Sequence, residues 1–166
     1  MFTANYLKDD GVFPNNNKLP VLFYESAIAQ EDDPAAFIES LFAENNWGNA
    51  WRDGVFDYHH YHSSAHEALA CYIGSAELRL GGPTGLIFGL EAGDVLIIPA
   101  GVAHRKVSSS SDFSVVGAYP ADQNFDLCRG APEERPRADR NIARVHLPDF
   151  DPVYGEDGPM MRKWVS

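Results

Sequence analysis

Residues 54–74 read GVFDYHHYHSSAHEALACYIG, and this stretch decides the fold. It holds four of the chain's six histidines, His59, His60, His62 and His66, with Glu67 directly after the last. From Trp51 onward the apolar pattern has period two. Phe56, Tyr58, His60 and His62 share one parity of a predicted strand; Asp57, His59 and Tyr61 share the other. Ser63 and Ser64 make a turn. Glu67, Leu69, Cys71 and Ile73 then alternate with Ala68, Ala70 and Tyr72 on the returning strand. His60 and His62 therefore leave one face, and Glu67 faces them across the hairpin. Imidazole and carboxylate are the usual protein ligands of divalent zinc, iron, manganese and nickel. Leaving such groups unpaired in a core costs about 1–3 kcal/mol each.

A second stretch follows, Gly93-Asp94-Val95-Leu96-Ile97-Ile98-Pro99-Ala100-Gly101-Val102-Ala103-His104. His104 arrives from a separate strand and completes a set of three histidines and one carboxylate: His60, His62, Glu67 and His104. His59 has the wrong parity and, like His146, is expected to be structural. His66 should point away from Glu67, behind the site or at the surface. The zinc-protease pattern fails at His66-Glu67, because position 70 is Ala and the context is a strand.

Further strands are expected at Val21–Tyr24, Ala76–Leu80, Leu86–Leu90, Val95–Ile98, Val102–Val107 and Phe113–Tyr119, with Ile142–Leu147 as a last one. About eight strands separated by turn signals describe an all-β sandwich or barrel, not βαβ units. One helix interrupts them. Asp33 can cap it, Pro34 suits its first position, and Phe37, Ile38, Leu41 and Phe42 lie on one face; Asn45 and Asn46 end it. Residues 1–20, rich in Gly, Pro and Asn, read as an irregular arm, and 121–140 as loop. Arg129, Arg135, Arg137, Arg140 and Arg144 alternate with acids and read as salt-bridged surface. The apolar residues of the tail, Met160, Met161 and Trp164, should dock it onto the barrel.

At 166 residues the chain is read as one domain over 1–166, with a barrel core about 51–120. Its formal net charge is −11, so nucleic acid and anionic membrane surfaces are excluded as partners. Two cysteines without C-x-x-C spacing make no disulfide framework. The first residues lack a signal-peptide pattern, and no run approaches the ~18 apolar residues of a membrane span. A cytoplasmic protein is expected.

The two stretches resemble the cupin superfamily. Its first motif, G-x5-H-x-H-x(3,4)-E-x6-G, is matched by Gly54, His60, His62, Glu67 and Gly74. Its second, G-x5-P-x-G-x2-H-x3-N, is matched by Gly93, Pro99, Gly101 and His104, with Ser108 where the motif has Asn. The resemblance covers Gly54 to about Tyr119. It implies a jelly-roll β-barrel holding one divalent transition metal ion (iron, manganese, nickel or zinc) on His60, His62, Glu67 and His104. It also implies a homodimer and a small-molecule ligand or substrate. Dioxygenase-like or isomerase-like chemistry follows as one expectation, with Tyr58 as a candidate proton donor. A metal-containing module that binds or senses a small ligand without turnover is the other.

Overall fold

The computed structural model describes all residues, 1–166. Nine strands form two antiparallel sheets. In chain order they are β1 (Phe2–Leu7), β2 (Asn16–Tyr24), β3 (Trp47–Asp53), β4 (Glu67–Ile73), β5 (Ser75–Leu80), β6 (Leu86–Glu91), β7 (Val95–Ile98), β8 (His104–Ser109) and β9 (Ser114–Pro120). The larger sheet runs β1-β2-β7-β4-β9-β3 and the smaller β6-β5-β8. This is the all-β, two-sheet barrel expected. No helix is long and apolar enough to cross a membrane.

Alternation along β4 sets the layers. Leu69 and Cys71 face inward and join Leu78, Leu80, Leu90, Leu96 and Ile98 in the barrel interior. Ala68 and Ala70 face outward with Val116 and Ala118, under Ile38 and Phe42 of helix α1 (Pro34–Glu44). Those alanines are small, which leaves room for the helix and the tail to lie close on the sheet. Helix α1 starts as expected: the Asp33 carboxylate accepts the Ala36 N–H at 3.2 Å, and Pro34 opens the first turn. Phe42 is fully buried, and truncating such a side chain costs about 3–5 kcal/mol.

The structure differs from the sequence reading in three places. The first arm is not irregular: Phe2–Asn5 pair with Val21–Tyr24. Pro20 did not stop β2, because the register shifts between Asn5 and Leu7 and leaves Pro20 without a ladder partner. Residues 54–66 are not a regular strand. They form isolated bridges, His60 to His104 and Tyr61 to Cys128, on opposite sides of the segment. Finally, Ile142–Leu147 is no strand. Residues Arg137–Arg144 form helix α2, with Ala138 buried against Phe13, Tyr61, Ala103 and Cys128. Just before it Arg135 clamps Asp9 and Asp139, the salt-bridged surface expected, whereas Arg129, Arg137, Arg140 and Arg144 form no salt bridge. The tail docks as anticipated. Its short helix α3 (Pro159–Lys163) buries Met160, and Trp164 follows into the core under the large sheet.

Candidate metal centre

His60, His62, Glu67 and His104 meet at one end of the barrel, and all four are buried. His60 and His104 exchange backbone hydrogen bonds at 2.9 and 3.2 Å, which brings their rings to 4.1 Å between centroids. Gly101 donates its N–H to the His62 carbonyl at 2.8 Å. Its φ is +95°, and a Cβ there would lie 2.4 Å from the Asn15 carbonyl oxygen, so this motif position requires glycine. Glu67 opens β4 opposite Ile98, and its Oε1 lies 3.1 Å from His104 Nε2 and 3.5 Å from His62 Nε2. One ligand atom from each of the three histidines lies within 4.8 Å of the others.

Hydrogen bonding sets the tautomers. His60 Nδ1 donates to the Tyr58 carbonyl at 3.0 Å, His62 Nδ1 to the Asp126 carbonyl at 2.5 Å, and His104 Nδ1 to the Val102 carbonyl at 3.1 Å. A carbonyl only accepts, so each Nδ1 carries the proton and each neutral ring presents a bare Nε2 lone pair inward. Glu67 Oε1 is buried without a hydrogen-bond partner, despite its closeness to two imidazoles. Four acceptors thus converge with no donor among them. The donor set and its orphaned oxygen fit a divalent cation.

Electrostatics agree. Burial, with His104 beside it, lowers His60 to about 3 and keeps it neutral. Burial would also lower His62, but the Glu67 carboxylate outweighs it and holds His62 above the ordinary imidazole value. Burial would raise Glu67, yet His62 and His104 hold it below the usual carboxylate range.

The other histidines lie elsewhere. His59 packs on Phe13 at 5.5 Å, outside the cluster. His66 is buried behind the site, where Nδ1 accepts the Ala100 N–H at 2.9 Å and the ring packs on Trp164. His146 is exposed. Tyr58 reaches the cluster through its backbone carbonyl, while its ring stacks on Phe56 under the Arg129 guanidinium, away from the cavity wall. The Cys71 thiol is pushed up to about 11, chiefly by burial, and points at backbone carbonyls of the Ile73–Gly74 turn.

Two supports had no sequence signal. The Asp126 carboxylate grips the Ser63 N–H at 2.6 Å and the Ser63 hydroxyl, which pins the carbonyl that holds His62. Tyr119 lines the cavity beside Glu67, since Ala68 pairs with Ala118 one position along. Its hydroxyl accepts the Trp51 Nε1–H at 2.9 Å. Burial and the nearby Glu67 charge raise its pKa, so it keeps the proton that it can donate to that carboxylate.

Two motif stretches brought together at one end of a two-sheet barrel give the protein a cupin-type fold. No protein-family model matches the chain. The chain belongs to the same family as a Bacillus subtilis (strain 168) protein, "Uncharacterized protein YjlB", with 38% identity over 161 residues, 97% of this chain and 95% of that one. Solved structures are more distant. Pumpkin seed globulin is 18% identical with a TM-score of 0.39, over 58% of this chain and 28% of the globulin. A dTDP-6-deoxy-D-glucose-3,5-epimerase from Legionella pneumophila is 14% identical with a TM-score of 0.38, over 72% of each chain. Bacillus subtilis oxalate decarboxylase, whose Mn(II) centres are described, is 16% identical with a TM-score of 0.37, over 69% of this chain and 28% of the decarboxylase. Likenesses of this size carry no argument about chemistry. The assignment rests on the two motifs and on where the fold brings them.

Proposed function

We propose that the protein is a metal-dependent cupin enzyme acting on a small molecule, with one iron, manganese, nickel or zinc ion held by His60, His62, Glu67 and His104. One observation carries this reading: three oriented Nε2 lone pairs and an unpartnered buried carboxylate oxygen share one site. A divalent ion there supplies Lewis acidity and open positions, which suits dioxygenase-like or isomerase-like chemistry. The chain's own residues do the rest. Backbone carbonyls hold the imidazoles in one tautomer. The Tyr119 hydroxyl keeps its proton beside Glu67 and can offer it to the carboxylate as a hydrogen bond. Apolar side chains line much of the space above the cluster.

The test is elemental mass spectrometry on untagged protein beside a His60→Ala, His104→Ala double variant. Near-stoichiometric metal in the wild type and its loss from the variant is the expected result. A wild type that takes up none of the four ions on reconstitution would refute the reading. A loaded protein that binds ligands but turns over none of a panel of small carbonyl and chelating substrates would favour a sensing module instead.

A further inference from the structure

We propose, building on the metal-centre reading, that the ligand of this site has one oxygen-bearing chelating end, an apolar body of about ring size and at most one negative charge. The cavity above the four acceptors measures about 310 Å³. That is at the small end of ligand pockets, which combine apolar walls with few polar anchors. Beyond the cluster, and apart from Arg52, Asp53 and Gly54, its walls are Trp51, Val55, Phe56, Leu69, Tyr119, Phe125 and Leu127. Among these walls the one polar side-chain group besides the Trp51 indole is the Tyr119 phenol, which accepts the indole N–H and lies beside Glu67. A sugar or other polyol would bury several hydroxyls here without partners.

Charge narrows the class further. The one basic residue at the cavity, Arg52, is committed to Glu39 through two hydrogen bonds at 2.6 and 3.0 Å. Beside it Asp53 adds negative charge at the mouth. A divalent ion with the Glu67 carboxylate leaves one net positive charge. A monoanionic head neutralises it, whereas a dianion would leave a buried negative charge with no cation to meet it. Shape points the same way. Tyr119 and Phe125 stack at 4.6 Å and 17°, giving a flat wall, and Phe125 stands edge-on to the His62 ring at 5.3 Å. Phe56, Phe125 and Leu127 are about half exposed around the opening, apolar surface that a ligand body would cover.

Two monoanionic chelators with the same head, benzohydroxamate and acetohydroxamate, isolate the body. Isothermal titration of zinc- or manganese-loaded protein should show benzohydroxamate binding at least about tenfold more tightly, a difference of about 1.4 kcal/mol. Oxalate should bind more weakly than benzohydroxamate. A Phe125→Ala, Leu127→Ala variant should bring the two hydroxamates within about twofold with its metal content unchanged. Phe56→Ala, on the facing rim, should shrink the same ratio. Equal affinities in a metal-loaded wild type, tighter binding of oxalate, or an undiminished ratio in the variants would each overturn the ligand class and leave the metal centre standing. A protein that takes up no metal overturns both.

Discussion

Gly117 has no side chain, and that absence shapes the site. A Cβ there would lie 2.2 Å from the Trp51 indole, which crosses β9 at this point, where the two residues are paired. The indole thereby reaches Tyr119, and Tyr119 reaches toward Glu67. Gly117→Ala should push the ring aside and cost about 1–3 kcal/mol, measured as a shift in the urea midpoint. Tyr119→Phe should leave stability within about 1 kcal/mol of wild type. It should still weaken metal binding by about tenfold or more, because groups behind a ligand orient it. Chelator competition reads this directly. An unchanged metal affinity in Tyr119→Phe would reduce the phenol to a wall of the cavity.

At the scale of elements, the terminal segments do more than their composition announces. The tail is anchored through Asp151, which is fully buried. Its carboxylate accepts the Tyr24 hydroxyl at 2.5 Å and the backbone N–H groups of Val153, Tyr154 and Met160. Trp164 adds a hydrogen bond to the Pro20 carbonyl at 2.8 Å. Asp151→Ala leaves several buried donors without an acceptor. It should destabilise the protein by about 3 kcal/mol, and limited proteolysis should then cut first within residues 150–166. Helix α1 was legible beforehand, because an aspartate cap, a first-turn proline and a 3.6-residue apolar stripe are local signals. Strand β1 and helix α2 were not. The arm is recruited by an edge of the large sheet some fifteen residues away, and α2 is held by long-range contacts: a buried alanine, a salt-bridge clamp and the Asn141 amide donating to the Ser63 hydroxyl.

For the whole molecule, stability and metal binding are linked through protons. His60 and His66 are held near 3 by burial, far below the ordinary imidazole value. They stay neutral when folded but charge when unfolded, so the stability they contribute is present above pH ~6.5 and falls away as the pH drops toward 3. His62 runs the other way, since its pKa is raised; its contribution is complete below pH ~6.5 and is lost as the pH climbs through the raised value. The His62 contribution is constant below pH ~6.5, so His60 and His66 set the slope there and the metal-free protein should lose thermal stability steadily between pH ~6.5 and ~4. Metal adds to this. At a free concentration a hundred times its dissociation constant, an ion should stabilise by about 2.7 kcal/mol, or roughly 5–10 °C in melting temperature. That increment should vanish on acidification, because protons compete for the same imidazoles and His62 competes first. Differential scanning calorimetry with and without metal across this pH range tests both slopes. A metal increment that persists unchanged at pH ~4 would place the ion away from these histidines.

What a local code can carry was already plain in the chain. The histidines at i and i+2 were legible as a pair although residues 54–66 are not a regular strand, the resemblance of residues 93–104 to the second cupin motif pointed to His104, and alternation along residues 67–73 separated the inner face from the outer. These are features of period and turn chemistry, and they act over a few residues. The carbonyl that orients His62 belongs to Asp126, 64 residues later in the chain, and the phenol beside Glu67 belongs to Tyr119, on the neighbouring strand. The cavity's apolar walls come from β3, the loop after it, β4, β9 and the segment that follows. No pattern in the intervening sequence marks such pairings. They arise only when the sheets close and distant backbone groups must find partners out of reach of water.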